Sequence, residues 1–308
     1  MALYIAVGFV LLWKGGDLLV DGADAFARSH GVPPTIAGVF ILGFGTSMPE
    51  LAVTVLAAMD GEGAIAVGNV VGSNIANVAL VLGAAAVLAV VHVNRFLARI
   101  EMPVGILASA LAFILILDGQ VDSMDGIILL GGFLLYAGFA LGTIRHRDVD
   151  SGEPPPRRPW FDLGKALLAL CAVLGGAELF KTGAVQMAEA FGISRVVIGS
   201  TLVAFATSLP ELATGVAAAR ARKVDLVVGN VIGSNIFNLL LVLGTAGLVM
   251  DQAVDPSVPQ VLMPLMLSLA VFPLVISWFN KREIGRKSGI VLVVTYVSFI
   301  VYSALNAT

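Results

Sequence analysis

The fold is decided by one octapeptide in the first third of the chain, GFGTSMPE at residues 43–50. It places a carboxylate, a proline and two hydroxyl groups inside a segment that is otherwise apolar. A charged side chain at the centre of a bilayer costs roughly 2.5–3.5 kcal/mol or more. A near copy of the stretch, AFATSLPE, follows at residues 204–211. A chain that carries this cost twice in the same local context is expected to bind a ligand there.

The composition is that of a membrane protein. Of the 308 residues, 58% are hydrophobic and 13% are charged, and the mean hydropathy is +0.96, whereas a soluble domain averages about 25% charged residues. A helix needs roughly 20 apolar residues to cross the hydrocarbon core, so ten helices with short loops use the whole length. The one cysteine, Cys171, excludes an intrachain disulfide and a cysteine-rich metal site.

Apolar runs and their breakers predict an all-α polytopic membrane protein with ten transmembrane segments. Residues 145–162 contain three consecutive prolines and mixed charge, which do not fit in hydrocarbon. They are predicted to be a linker between two five-helix halves, 1–144 and 163–308. Segments 1 to 10 are expected at about residues 2–28, 33–59, 63–90, 98–117, 123–144, 163–190, 194–219, 224–250, 259–279 and 287–305.

The distribution of charge predicts the orientation in the membrane. Loops after odd-numbered segments hold nearly all the basic residues, whereas loops after even-numbered segments hold Asp and Glu with only Arg195. By the positive-inside rule, the linker is then cytoplasmic and both termini are outside. No targeting extension is evident, which favours the plasma (inner) membrane of a prokaryote.

An internal repeat relates the two halves at a constant separation of 161 residues, as between Glu50 and Glu211. Residues 68–83 (GNVVGSNIANVALVLG) and 229–244 (GNVIGSNIFNLLLVLG) are identical at 12 of 16 positions. Five helices per half is an odd number, so the second half enters the membrane from the opposite side. This is an inverted repeat, the architecture of many secondary transporters, whose binding site lies near the midplane between the repeats.

The octapeptide concentrates oxygen atoms at membrane depth. Pro49 has no N–H and clashes with the carbonyl of Gly45, so we expect the carbonyls of residues 43–46 to be released from helical bonding. Such carbonyls persist in a membrane only where they line a cavity or bind a ligand. The second half repeats the pattern at 204–211. The side chains that point oxygen into these two regions are those of Thr46, Ser47, Glu50, Thr207, Ser208 and Glu211.

A polar stripe accompanies each octapeptide. Asn69, Ser73 and Asn77 are spaced four residues apart and share one helix face, and Asn230, Ser234 and Asn238 do the same. No His, Cys or Met recurs among the repeated polar residues, and an all-oxygen set selects hard cations. Ca²⁺ fits best, since it tolerates 6–8 ligands in irregular geometry. Two carboxylates match one divalent ion or a few monovalent ions, and that competition is the physical basis of exchange.

Structural roles are the alternative for several of these residues. Asn and Ser stripes commonly hold membrane helices together. Helix packing alone therefore explains Asn69, Asn74, Asn230 and Asn235 as well as ion binding does. Asp17 and Glu178 also recur at the 161-residue separation, and a structural or gating role is expected for them, with Lys14 or Lys181 neutralising one. For Glu50 and Glu211 a structural role is hard to justify, because no Lys or Arg lies nearby in the sequence.

These motifs resemble the two alpha-repeats of the Na⁺/Ca²⁺ exchanger branch of the cation/Ca²⁺ antiporter superfamily, prokaryotic type. The resemblance rests on GTSMPE with GSNIAN and on ATSLPE with GSNIFN, and it covers essentially the whole chain. It implies that Glu50 and Glu211 hold Ca²⁺ at the centre. The residues implied to complete the Ca²⁺ site and flanking Na⁺ sites are Thr46, Ser47, Ser73, Thr207, Ser208 and Ser234, the carbonyls of Gly43 and Ala204, and Asn77.

The resemblance also implies a moving pair of helices and contains one departure. Segments 1 and 6 are expected to slide across the other eight, with glycine pairs at 15–16 and 175–176 giving the pair a smooth face. Exchangers of this type often carry Asp where this chain has Asn238. The position stays a candidate ligand, but the site then has two ionisable carboxylates instead of three, which leaves the driving ion open.

The sequence therefore predicts a secondary antiporter that exchanges Ca²⁺ for Na⁺ by alternating access. A Ca²⁺/H⁺ antiporter is the nearest alternative, because two clustered carboxylates can share protons, and a cation channel is a more distant one. No nucleophile–base pair occurs in the repeats, so an enzyme is not expected. The expected partners are the transported ions and the lipid bilayer, for a monomer that needs no other cofactor and binds no nucleic acid.

Overall fold

The computed structural model describes residues 1–144, 159–191 and 204–306, and the described residues are almost entirely helical. The helices are α1 (Ala2–Ser29), α2 (Pro34–Thr46), α3 (Met48–Met59), α4 (Gly63–Leu88), α5 (Leu97–Ile116), α6 (Ser123–Ile144), α7 (Pro159–Ala190), α8 (Ala204–Thr207), α9 (Leu209–Arg220), α10 (Val224–Val249), α11 (Val258–Phe279) and α12 (Arg286–Asn306). The strands are β1 (Val91–His92), β2 (Gln120–Val121), β3 (Gln252–Ala253) and β4 (Glu283–Ile284).

The described part of the chain contains eight helices that are long and apolar enough to span a membrane, and the bent pair α2–α3 makes a ninth. Predicted segments 1 to 6 and 8 to 10 match these helices to within a few residues. The first part of segment 7, up to residue 203, and residues 145–158 of the linker lie outside the described residues. The total of ten segments therefore stays a prediction.

The start of α7 corrects one predicted boundary. This helix begins at Pro159, so residues 159–162 are helical and not part of the linker. Proline is well suited to the first turn of a helix, where its missing N–H has no helical partner in any case. Asp162 in the same turn is favoured by the positive end of the helix dipole.

The elements recur at the separation seen in the sequence. Helices α3 and α9 have 12 residues each and begin 161 residues apart, as do α4 and α10, which have 26 residues each. Both α4 and α10 contain a π-helical segment, Asn77–Leu82 and Phe237–Val242, and both α5 and α11 begin with one. Similar sequences in the two halves thus adopt similar irregularities of the backbone.

Two short antiparallel ladders join loops of different halves. Strand β1, after the third segment, pairs with β4, after the ninth. Strand β2, after the fourth segment, pairs with β3, after the eighth. Each ladder therefore connects loops that the charge distribution assigns to the same side of the membrane.

Helices α4 and α10 form the centre of the bundle. In their apolar windows 78% and 89% of residues are buried, against 17–39% in the other spanning helices. These two helices carry the polar stripes, so the stripes lie in the protein interior and not against lipid. Four helices that flank them, α2, α3, α8 and α9, carry the two octapeptides.

Helices α1 and α7 pack against each other through glycine. A Cβ at Gly8 would lie 2.6 Å from the backbone nitrogen of Phe180, and one at Gly15 would lie 2.9 Å from Cγ2 of Val173. Gly15 therefore lies between α1 and α7, and so does Gly176, which contacts α1. Only Gly16 faces α9, against the carbonyl of Ala213. These small residues hold the pair together at backbone contact.

Candidate ion-binding site

The two octapeptides form matching helix breaks. At Ser47 the backbone leaves the helix with φ −82° and ψ 3°, and at Ser208 the angles are −87° and 4°. The bend between α2 and α3 is 42°. Proline stands at the second residue of both α3 and α9, where it cannot donate to the preceding turn. Each break therefore brings a glutamate, at the third residue of the new helix, into the protein interior.

The released carbonyls expected at residues 43–46 are only partly realised. The π-helical segment Gly38–Gly43 and the turn after it continue the helix to Thr46, so the break is confined to Ser47. The carbonyl of Gly43 accepts hydrogen bonds from the N–H of Ser47 and from the hydroxyl of Ser234, each at 3.2 Å. The expectation of a free Gly43 carbonyl is therefore wrong, because a side chain from the other half reaches it.

The two glutamates lie at the centre of the site. Glu50 is 1% exposed and Glu211 is fully buried. The hydroxyl of Ser73 donates to Oε1 of Glu50 at 3.4 Å. Glu211 lies against the hydroxyls of Thr46 and Ser47, and close enough to Glu50 for their charges to interact. Among the described residues neither carboxylate forms an ion pair.

Buried polar atoms without a hydrogen-bond partner cluster around these carboxylates. Buried polar groups in proteins are nearly always paired, and each unpaired one costs about 1–3 kcal/mol. Most atoms in this cluster are oxygens, which suits a cation better than an anion. Within the described residues the cluster comprises Ser47 Oγ, Ser208 Oγ, Glu50 Oε2, both carboxylate oxygens of Glu211, Asn77 Oδ1, and both side-chain polar atoms of Asn74 and Asn238.

Asn69 and Asn230 form hydrogen bonds to the broken helices, and Oδ1 of Asn230 also accepts from the hydroxyl of Thr46 at 3.4 Å. Asn69 donates to Oγ1 of Thr54 at 3.0 Å and to the backbone carbonyl of Glu50 at 3.4 Å. Asn230 donates to Oγ1 of Thr214 at 3.1 Å. Each amide ties a central helix to the broken helix beside it. Thr54 and Thr214 were not recognised in the sequence, although both follow a motif glutamate by three or four residues.

Further hydrogen bonds join the two polar stripes across the halves. The amide of Asn77 donates to Oδ1 of Asn235 at 3.0 Å, and Asn235 donates to the backbone carbonyl of Asn74 at 3.4 Å. The hydroxyl of Thr46 donates to the carbonyl of Leu42 at 2.9 Å. Among the described residues, neither amide atom of Asn238 has a hydrogen-bond partner, and both atoms are buried. Asn238 is therefore available to a ligand, whereas Asn235 is held by its neighbours.

Contacts between the halves bring some of the predicted site residues together, namely Gly43 with Ser234, and Glu211 with Thr46, Ser47 and Glu50. Thr207 is 8% exposed, beside the break at Ser208. Ala204 begins α8, and the segment before it lies outside the described residues. Asp17 and Glu178, the other two carboxylates that are 161 residues apart, are placed elsewhere. Asp17 pairs with Arg220 at 3.4 Å and not with Lys14, and Glu178 pairs with Lys181 as expected.

A buried carboxyl group outside the two octapeptides, that of Glu101, was missed in the sequence. Glu101 is fully buried at the end of a π-helical segment in α5, and Tyr136 of α6 donates its hydroxyl to Oε2 of Glu101 at 2.7 Å. The ring of Tyr136 stacks on Phe40, with the centroids 6.0 Å apart. The equivalent position in the second half is Leu262, so this arrangement is not duplicated. A glutamate at the start of a long apolar run, two residues after Arg99, was the available signal.

Comparison with known proteins agrees with this architecture. The family model described as sodium/calcium exchanger protein matches residues 1–142 and 163–305. The "Putative antiporter CaxA" of Alkalimonas amylolytica is 34% identical over 309 residues, covering 96% of each chain. The "Sodium/calcium exchanger MaX1" of Methanosarcina acetivorans is 33% identical over 340 residues, covering 97% of each.

Solved structures give the same result. A structure of the sodium-calcium exchanger NCX_Mj, soaked with 2.5 mM Na⁺ and 1 mM Sr²⁺, superimposes with a TM-score of 0.87 at 33% identity and covers 97% of each chain. The fold is therefore the exchanger fold. With a family match over both halves and relatives aligned over nearly their whole length, this chain belongs to the sodium/calcium exchanger protein family.

Proposed function

We propose that this chain exchanges Ca²⁺ for Na⁺ across a membrane by alternating access, with Glu50 and Glu211 as the central Ca²⁺ ligands. The coarser statement, a cation/Ca²⁺ antiporter, follows from the family. The observation that supports the more specific proposal, with Glu50 and Glu211 as Ca²⁺ ligands, is that these two buried carboxylates come from different halves. They have no cationic partner among the described residues.

The charge and the ligand types support Ca²⁺ as cargo. Two carboxylates balance one divalent cation, and neutral oxygens fill the remaining positions of a Ca²⁺ shell of 6–8 ligands. A cluster of three or more His, Cys, Asp or Glu that could hold a metal is absent from the described residues, so neutral ligands are required. The residues assigned to the Ca²⁺ and Na⁺ positions are Thr46, Ser47, Ser73, Asn77, Thr207, Ser208, Ser234 and Asn238, with the carbonyls of Gly43 and Ala204. The Gly43 carbonyl binds an ion only when the hydroxyl of Ser234 releases it.

Exchange follows from the same charge count. Either one Ca²⁺ or a few Na⁺ neutralise the two carboxylates, but both sets together would leave an excess of positive charge in a buried site. Such an excess is unfavourable because charges interact strongly away from water. Binding of one ion therefore requires release of the other.

Alternating access requires two sets of helices that move relative to each other. We assign the moving set to α1 and α7, whose backbones contact each other at Gly8 and Gly15. The other set contains the remaining helices of the two five-helix halves, 1–144 and 163–308, and the ladders β1–β4 and β2–β3 join loops of these halves. Inverted repeats place the site at the interface between the halves, so the moving pair opens it to either side in turn.

Flux measurements in proteoliposomes test the proposal. Loading vesicles with Na⁺ and diluting them into Na⁺-free buffer with radioactive Ca²⁺ is expected to drive Ca²⁺ uptake, and collapsing the Na⁺ gradient is expected to abolish it. A pH gradient imposed without Na⁺ distinguishes the Ca²⁺/H⁺ alternative, which the asparagine at 238 leaves open. Ca²⁺ uptake that does not depend on the Na⁺ gradient would refute the assignment of Na⁺ as the driving ion.

The orientation in the membrane is tested separately. We assign both termini to the outside and the linker at 145–162 to the cytoplasm of a prokaryote, on the alternation of charge between loops. Alkaline phosphatase fused to the C-terminus is then active, since it folds only outside the cytoplasm, whereas the same fusion within the linker is inactive. The reverse pattern would contradict the orientation.

A further inference from the structure

A lateral groove on the side of the bundle lies between the pair α1–α7 and the second octapeptide. Its volume is about 340 Å³, and its walls come from α1, α7, α8 and α9. It is apolar along its length and has one charged residue at its end. The residues that define this lateral groove are Phe9, Trp13, Phe180, Phe205, Leu212 and Arg220.

The charged end of the groove is built around Arg220. Its guanidinium lies 4.0 Å over the ring of Trp13, and Nη1 lies 3.4 Å from Asp17. Arg220 remains 41% exposed, and a guanidinium has five N–H donors, so one contact with Asp17 leaves others for a further acceptor. Lys14 adjoins Trp13, and none of the ion pairs of the described residues involves it.

The net charge at this end is therefore positive. Four basic residues, Lys14, Arg28, Arg220 and Lys223, lie at this end with three carboxylates, those of Asp17, Asp21 and Asp24. Lys223 is paired with Asp21 at 2.8 Å and with Asp24 at 3.2 Å, and Arg28 is paired with Asp24 at 3.3 Å, so one positive charge is in excess. An anionic group is thus the complementary ligand. The rest of the groove offers only apolar surface, so that ligand must carry a long apolar portion.

The dimensions of the groove fit a lipid chain. Fifteen residues separate Phe205 from Arg220, which at 1.5 Å per residue gives at most about 22 Å. A bilayer has a hydrocarbon core of about 30 Å, so a groove of this length extends from one interface past the midplane. An acyl chain along it would end beside Phe205, two residues from Thr207 of the second octapeptide.

We infer that the lateral groove binds one anionic phospholipid, with its headgroup at Arg220 and an acyl chain along α9. Basic pockets between transmembrane helices bind anionic headgroups in general, and the bilayer supplies this ligand wherever the chain resides. The lipid contacts both the moving pair and the helix that carries Glu211, so its binding is sensitive to the position of α1. The inference goes beyond the proposed exchange and does not depend on which ion drives it.

Trp13 provides a direct probe because it lines the groove. In a variant with Trp160→Phe and Trp278→Phe, Trp13 is the one remaining tryptophan of the three. Its fluorescence is measured in vesicles that contain phosphatidylglycerol or phosphatidylcholine with brominated acyl chains at the same low mole fraction. Bromine quenches only at short range, so the efficiency of quenching reports occupancy of the groove by each lipid.

The expected result is a preference of about fivefold for the brominated phosphatidylglycerol, because one basic residue near the surface favours an anionic lipid by about 1 kcal/mol. The double variant Asp17→Asn/Arg220→Gln, which avoids leaving Asp17 without its partner, is expected to remove the preference. Arg220→Lys is expected to retain it. The matched control is Arg222→Asn, at an arginine of the same loop with a φ of 58° that asparagine tolerates, and it retains the preference.

Two outcomes would overturn the inference. One is equal quenching by the two lipids in the parent protein, which means that the groove is filled by bulk lipid without selection. The other is a preference that persists in Asp17→Asn/Arg220→Gln, which places the anionic lipid elsewhere. Circular dichroism and size-exclusion chromatography of each variant establish that the fold is retained before quenching is compared.

Discussion

Replacement of Glu211 by glutamine separates the two roles of the carboxylate pair. The change keeps the shape of the side chain and one oxygen, but it removes one of the two negative charges at the site. Removing one member of a buried charge interaction costs about 3–5 kcal/mol. At about 1.36 kcal/mol per tenfold change, this corresponds to Ca²⁺ binding that is roughly 150- to 5,000-fold weaker.

Thermal unfolding with and without Ca²⁺ measures this loss. A ligand at 100 times its Kd stabilises the folded state by about 2.7 kcal/mol. If the Kd rises 150-fold at the same Ca²⁺ concentration, the stabilisation falls to about 0.3 kcal/mol. Without Ca²⁺ the substitution no longer lowers the stability of the folded state relative to wild type, because Glu211→Gln relieves repulsion with Glu50. The ion-free variant is therefore expected to unfold at or above the wild-type temperature.

Glu178→Gln is the matched control. It makes the same chemical change on α7, where Glu178 is 63% exposed and paired with Lys181, and it should leave the Ca²⁺-induced shift unchanged. The reasoning is refuted if Glu211→Gln keeps the wild-type shift, since Glu211 would then not bind Ca²⁺. It is also refuted if the control loses the shift equally.

Three further predictions concern other parts of the molecule. Asn238→Asp adds a third ionisable carboxylate, so the pH profile of Ca²⁺ flux should change; an identical profile would remove residue 238 from the site. A double-mutant cycle of Glu101→Gln and Tyr136→Phe should give a coupling free energy of unfolding of about 1.5–3 kcal/mol, the range for hydrogen bonds to charged groups, with Ca²⁺ affinity unchanged; a coupling near zero would mean that the 2.7 Å contact contributes nothing. Gly8→Val should destabilise the fold by about 1–3 kcal/mol through overpacking against α7, whereas Gly175→Ala, which meets no described atom within 4 Å, should not; equal effects would contradict the close packing of α1 on α7.

The sequence predicted the positions of the helices and the pairing of the motifs. Glu50 and Glu211 could be matched because a carboxylate and a proline in an apolar segment are costly and therefore distinctive. Helix ends such as those of α4 and α10 were accurate because bilayer thickness and breaker residues set them locally. Both kinds of signal lie within a few residues of the feature that they predict.

Contacts between helices could not be predicted in the same way. The bond from Asn69 to Thr54 depends on how far α4 is rotated relative to α3, and that rotation is set by packing over the whole helix. The pair of Glu101 and Tyr136 joins residues 35 apart on different helices. The sequence also does not show that Gly15 and Gly176 lie between α1 and α7, because a pair of glycines does not indicate which neighbouring helix it contacts.

The central claim is that Ca²⁺ and Na⁺ compete for one site that needs a carboxylate from each half. Equilibrium binding of radioactive Ca²⁺ to the purified protein, titrated with Na⁺ at fixed pH, tests this most directly. The account predicts that Na⁺ displaces Ca²⁺ cooperatively, with more than one Na⁺ per Ca²⁺, and that Glu50→Gln and Glu211→Gln each abolish Ca²⁺ binding. Ca²⁺ that stays bound in either variant, or that Na⁺ fails to displace, would contradict it.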